Sequence, residues 1–320
     1  MLGGAAVTVV RPLAAHARPA GKVPKVGMLY PGPQTGAPPR VEAVLNGLRS
    51  AGYGAPAQVE LVLRVANGDP ARIAPLAAEI IASDVDVTFA IGPAVVRAFR
   101  SATQTVPIVA IDLESDPVDS GIAKSLAHPG GNVTGVFLAF PEFSAKWLEL
   151  LKQTIPQLSR VAVLWDPNTG SMQKNAIAGA AEALKVTLEI VEVRTPSDFD
   201  EAFISASRDG AGALLMLSSP LISANVQKLA ELAILHKLPT ITLFPDFARA
   251  GGLMAYGPNL LGAIQQAGGM ICKILQGTSP ADLPIERPTK FELVINLKTA
   301  KVLGLDVPPT VLARADELIE

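Results

Sequence analysis

KVGMLY (Lys25–Tyr30) and RVAVLW (Arg160–Trp165) are one pattern written twice. Each opens on a base, runs through small, β-branched and apolar residues, and closes on an aromatic. Each leads into a Pro/Gly loop, PGPQTG from Pro31 and DPNTG from Asp166, and then into a helical pattern, Val41–Ala51 and Met172–Leu184. The pairing continues. DVTFAI from Asp86 runs into Gly92-Pro93 and a helix from Ala94; ALLML from Ala213 runs into Ser218-Ser219-Pro220 and a helix near Val226–His236. VPIVAI from Val106 matches LPTITL from Leu238, both with a proline at the strand entrance, where a missing N–H does least harm. Offsets of 135, 127 and 132 residues keep the landmarks in one order, which marks an internal duplication.

Short apolar strands alternating with helices predict two Rossmann-like α/β lobes, each with a parallel sheet covered on both faces. Further strands are expected at Gln58–Val65 and Leu188–Val193, and helices at Ile73–Ser83, Ser144–Gln153, Asp198–Arg208 and Leu260–Leu275. A strand and turn over Gly251–Asn259, a final strand Phe291–Leu297 and a short helix ending at Gly304 complete the chain. Asn132-Val133-Thr134 is read as the approach to a hinge, with the crossing between lobes near Gly135–Pro141. Ligands of open α/β sheets bind beyond the carboxyl ends of the strands. The loops after the matched strands are therefore the predicted site, around a cleft between the lobes.

Composition narrows the function. The chain has 320 residues, 49% hydrophobic, a net charge of −2 and a mean hydropathy of +0.35, ample for two domains. It has no basic block of the kind a nucleic-acid binder needs. No apolar run reaches the about 18 residues of a membrane span. The single cysteine, Cys272, rules out an internal disulfide and reads as a buried small hydrophobe. Phosphate-loop, nucleophile-elbow, dinucleotide-fingerprint and zinc-protease motifs are all missing, so no cofactor and no metal are expected. An apolar stretch, Leu2–Val10, followed by Ala15-His16-Ala17 reads as an export signal without its basic head.

Several longer stretches carry a resemblance: LAHPGGNVTGV (126–136), GGLMAYGPN (251–259), PADLPIERPTKFELVINLKTAKVLGLDVPP (280–309) and ARADELIE (313–320). They resemble the ABC-transporter substrate-binding protein family that includes tryptophan-binding TrpX-like members. The resemblance implies a periplasmic-binding fold of type I with a hinge of crossing strands. It implies residues 1–22 as export signal, 23–137 plus 260–283 as one lobe, and 138–259 plus 284–320 as the other. It also implies a periplasmic, monomeric protein that captures a small solute, an amino acid or related organic acid, and passes it to a membrane permease.

The candidate ligand-binding residues lie at the strand ends. Tyr30 and Trp165, at equivalent positions, are expected to sandwich a flat or apolar group. Thr35, Asp166 and Asn168 lie beside helix starts suited to a carboxylate. Gly92, Pro93, Ser218 and Ser219 form a second matched pair of loops. Asp112, Glu114 and Asp116 follow the third strand; Asp116, or Asp246 in the other half, is expected to meet a ligand ammonium. Tyr256, on a crossing strand, is expected to reach the cleft with its hydroxyl. The competing readings are a non-redox enzyme such as a racemase or lyase, and the effector domain of a transcription regulator. The first lacks a second cysteine; the second lacks a DNA-binding headpiece.

Overall fold

The computed structural model describes residues 23–53, 59–138 and 140–320. The expected export signal, residues 1–22, lies outside the described residues.

The duplication folds as two sheets of one design. In the first, β1 (Lys25–Tyr30), β2 (Glu60–Val65), β3 (Val87–Ile91), β4 (Ile108–Asp112) and β5 (Val133–Phe137) take the order β2-β1-β3-β4-β5, all parallel. In the second, β6 (Arg160–Trp165), β7 (Thr187–Glu192), β8 (Ala213–Met216), β9 (Thr240–Thr242) and β10 (Met254–Pro258) repeat that order as β7-β6-β8-β9-β10. β11 (Phe291–Asn296) then adds antiparallel to β10, and β12 (Glu317–Ile319) parallel to β11. The repeat extends to single hydrogen bonds. Tyr30 O accepts from Ala66 N and Trp165 O from Val193 N, both at 2.9 Å. Pro107 O accepts from Thr88 N and Pro239 O from Leu214 N, both at 2.8 Å. Each strand-entrance proline thus keeps the acceptor it has and lacks only a donor.

Strands β3, β4 and β8 are buried throughout, and their sequences are apolar but for Thr88 and the terminal Asp112. The edge strand β7 is half exposed and reads TLEIVE. Asn132-Val133-Thr134, expected as the approach to the hinge, opens a fifth strand, Val133–Phe137; Asn132 fastens its entrance through Nδ2 to Val106 O, 2.9 Å away.

In the first lobe, α1 (Ala37–Ser50) and α10 (Leu260–Leu275) cover one face of the sheet, and α2 (Ile73–Ala82) and α3 (Pro93–Ala102) the other. In the second, α4 (Phe140–Thr154) and α5 (Met172–Leu184) cover one face, and α6 (Phe199–Arg208) and α8 (Val226–Leu235) the other. Short helices α7 (Pro220–Ala224) and α9 (Pro245–Arg249) follow β8 and β9; α11 (Leu297–Val302) and α12 (Pro309–Leu312) precede β12. The α1–α10 crossing is closed by two glycines. A Cβ on Gly47 would strike the Gln265 carbonyl, and one on Gly268 the Val44 carbonyl. Here two backbones touch, and only glycine permits it.

The chain passes between the sheets three times: after β5, after β10 and before β11. The crossings are bonded together. Asn259 N donates to Lys290 O at 2.9 Å, and Arg287 Nη1 to Phe137 O at 3.0 Å. Glu286 N bonds Gly135 O and Phe137 N bonds Glu286 O, so residues just past 283 still attach to the first sheet. An aromatic cluster braces the second-lobe side: Phe143 stacks on Tyr256 at 5.4 Å and contacts Phe291 at 5.0 Å. Trp147 Nε1 donates to Tyr256 O at 2.7 Å. Among the described residues no helix is long and apolar enough to cross a membrane.

Candidate functional site

The strand ends meet at a buried bond between lobes. Ser218, after β8, donates its hydroxyl to Glu114 Oε1 at 2.6 Å, and Glu114 follows β4 in the other lobe. Both residues are buried, Ser218 fully and Glu114 at 6% exposure. Gln173, at the start of α5, holds Ser218 from behind, accepting from its amide and donating to its carbonyl, both at 2.8 Å. Asp112, the last residue of β4, accepts from Glu114 N and Ser115 N through Oδ1. Its Oδ2 is buried without a partner.

Two carboxyl groups side by side, out of water, cannot both ionise cheaply. Burial, and then the charge of Asp112, push Glu114 up to about 8, against the hydrogen bond from Ser218. Burial likewise raises Asp112, against its two amide bonds, the Ser115 hydroxyl and the Arg97 charge. Glu114 was one of three acids in this loop; its depth depends on Ser218, 104 residues away in sequence, which no local pattern reveals.

Tyr30 and Trp165 sit at equivalent strand ends and are nearly buried, at 7% and 8% exposure. A cation from the following helix lies over each ring: the Arg40 guanidinium 4.7 Å from the centre of Tyr30, and Lys174 Nζ 3.9 Å from that of Trp165. One face of each ring is thus taken by the protein. The Tyr30 hydroxyl occupies room that side chains at Gly32 and Gly36 would need. Burial raises its pKa; Arg40 opposes this, and Asp246 in the opposite lobe adds to it. Trp165 Nε1 donates to Gly170 O at 2.9 Å.

Other expected residues are engaged locally. Asp116 Oδ1 caps its own turn, accepting from Val118 N and Asp119 N at 2.8 and 3.0 Å. Asp166 does the same for Asn168 N at 2.9 Å, and Ser219 Oγ accepts from Ile222 N at 3.1 Å to cap α7. Asp246 is exposed and paired with Arg249, which also binds Glu317 through Nε and Nη2. Tyr256 stands in the hinge cluster, with Arg314 and Asp316 the charges it feels, and not with Tyr30. Thr35 and Asn168 are exposed on their loops.

The expectation of a carboxylate seat on helix N-termini is narrowed by proline. α1 starts Ala37-Pro38-Pro39, and short α7 starts at Pro220, so several donors are missing. α3 is the better placed. Gly92, at φ +83, turns the chain, and no side chain caps the first turn that Pro93 opens. A Cβ on Gly92 would meet open space. Two surface hollows, one lined by Leu297, Ala300 and Leu312 and one by Pro39, Asn46 and Gln265, share no residue with the strand ends. Among the described residues no group of three His, Cys, Asp or Glu could hold a metal ion.

Comparison with known proteins agrees with this geometry. The family described as ABC transporter substrate binding protein matches residues 35–319. A curated tyrosine-binding protein of Clostridioides difficile is 26% identical over 265 residues, 82% of this chain and 75% of the relative. Among solved structures, an ABC domain in complex with L-Trp from Streptococcus pneumoniae has a TM-score of 0.85 at 24% identity, covering 93% of this chain and all of that one. The ligand-free, open structure of a substrate-binding protein with adhesive properties from Clostridium difficile has a TM-score of 0.70 at 22% identity, covering 93% of this chain and 99% of that one. The matched family and these relatives are solute-binding proteins and not enzymes, so the racemase or lyase reading has no support.

Proposed function

Because this chain belongs to the ABC transporter substrate-binding protein family, we propose that it is the periplasmic receptor of an importer and captures an amino acid, preferably aromatic, by hinge closure. The observation that carries the reading is the Ser218–Glu114 bond, which joins the strand ends of the two lobes across a buried seam. In this reading residues 23–137 with 260–283 form one lobe and 138–259 with 284–320 the other, with residues just past 283 belonging to the crossing. The described arrangement is the closed one. Its likeness to the L-Trp complex, greater than to the open ligand-free relative at equal coverage, supports that assignment.

The solute lies between the loops carrying Tyr30, Gly92, Pro93, Trp165 and Ser218. Its carboxylate faces the uncapped first turn of α3, and its apolar part faces the two rings. Thr35, Asp116, Asp166, Asn168, Ser219, Asp246 and Tyr256 shape or border those loops. The names of the relatives, one tyrosine-binding and one holding L-Trp, support the aromatic preference. Closure is a shift between two states set by how much more tightly the closed one holds the solute. A monomer delivers the loaded form to a permease.

A thermal-shift screen of the full chain over the common amino acids and aromatic acids tests this reading. A solute that binds only the native state stabilises it by about 2.7 kcal/mol at 100 times its Kd. Small-angle scattering should show contraction with the same solute. A screen in which no amino acid moves the melt overturns the amino-acid reading.

A further inference from the structure

We propose that Glu114 and Asp112 form the subsite for the solute's positively charged group, a primary ammonium, with Ser218 closing over it from the opposite lobe. The proposal rests on the receptor reading above and names the group that reading leaves unplaced.

Charge at the end of β4 is out of balance. Two carboxyl groups stand together at the end of β4, both buried, and no Lys, Arg or His of the described residues makes an ion pair with either. Arg97, whose charge reaches Asp112, is itself exposed. Burying an anion without a partner is costly, and native structures avoid it unless something supplies the missing charge. Asp112 Oδ2 is the second observation: a buried acceptor with no donor, on a fully buried side chain. Gly92 N donates to Ile111 O, the carbonyl just before Asp112, at 2.7 Å, and a Cβ on Gly92 would meet open space. A buried acceptor at this strand end therefore lacks a donor.

An ammonium supplies what is lacking. It carries three N–H donors and one full charge in a compact volume. It satisfies Asp112 Oδ2 and a Glu114 oxygen together, and bonds to ionised acceptors are the stronger kind. A metal ion fits less well, since no third ligand of its usual kind stands here. Without solute, a proton takes the place, as the raised affinity of Glu114 for protons requires. The acids expected for this task are unsuited: Asp116 is spent on its own turn, and Asp246 is neutralised by Arg249 at the surface.

The test is calorimetric binding to the full chain at neutral pH. L-tyrosine, L-tryptophan and L-phenylalanine are compared with their counterparts lacking the amine: 3-(4-hydroxyphenyl)propanoate, indole-3-propanoate and 3-phenylpropanoate. In the wild type the amine-free acids should bind at least about 100-fold more weakly, the scale of an uncompensated buried charge partner. Glu114→Gln, close in shape, should weaken the amino acids by about the same factor and leave the amine-free acids nearly unchanged. Asp112→Asn should give a smaller loss in the same direction. Circular dichroism and melting confirm that each variant folds. A variant that does not fold leaves the decision to the wild-type ratio, which needs no substitution. Equal binding of acids with and without the amine, or a Glu114→Gln protein that keeps the wild-type ratio, overturns the subsite and leaves the receptor reading standing. A wild type that binds none of the three amino acids overturns both.

Discussion

β4 and β9 hold the same place in the two halves of the repeat, and an acid follows each within a few residues. Their fates are opposite. Asp246, after β9, has a side chain 75% exposed and shares Arg249 with Glu317. Glu114, after β4, is buried and has a serine of the other lobe as its hydrogen-bond donor. Duplication supplied equivalent strand ends; solvent and the facing lobe then gave them different chemistry. The exposed acid costs little because water and a base surround it. The buried one makes closure depend on what fills the seam.

pH separates the two acids most strongly. Burial and the charge of Asp112 raise the pKa of Glu114 from the ordinary 4.5 to about 8 in the folded chain. Its contribution to stability is therefore complete below about 4.5 and is withdrawn as pH rises through about 8. Melting of the solute-free wild type should fall over that window, by an amount on the order of a few kcal/mol. Glu114→Gln should flatten the slope and Asp246→Asn should keep it. A wild-type curve without slope would mean that Glu114 is not sequestered.

The aromatic ends come next. Trp165→Ala should cost about 3 kcal/mol of stability, leave the chain folded, and weaken L-tryptophan binding at least tenfold by calorimetry. Tyr30→Phe keeps the ring under Arg40 and should cost about 1 kcal/mol or less. An equally large loss from Tyr30→Phe would mean that the hydroxyl, and not the ring, carries the contribution of Tyr30.

Adjacent serines give a finer contrast. Ser218→Ala removes the bond between lobes and should weaken solute affinity by about 1.5 kcal/mol, with a more open chain in scattering. Ser219→Ala removes a helix cap and should cost about 1 kcal/mol of stability with affinity nearly unchanged. The smallest effect belongs to Asp246→Asn, about 0.5 kcal/mol or less in melting, as for exposed pairs generally.

Much of this fold could be read from one dimension. The duplication, the strand-entrance prolines and the loops around Tyr30, Gly92, Trp165 and Ser218 all follow from local patterns, because parallel strands buried on both faces write themselves as apolar runs. β5 was obscured by its glycine, which lies where a Cβ would strike the Ala110 backbone. The choice between Asp116 and Glu114 was not legible. Both follow the same strand, and only the approach of Ser218 decides which is buried. The packing of Tyr256 is hidden for a similar reason: its neighbours Phe143 and Phe291 come from separate crossings of the chain.

The backbone contact of Gly47 with Gly268 carries a consequence for how the molecule is made. α1 leaves the ribosome long before its partner α10, which ends only at Leu275. Val44 and Leu48, fully or almost fully buried in the finished protein, must wait through the synthesis of most of the second lobe before α10 arrives to cover them. The lobe that is begun first is completed late. Its apolar face stays open for the longest part of translation, so it is the part of the nascent chain most in need of a chaperone.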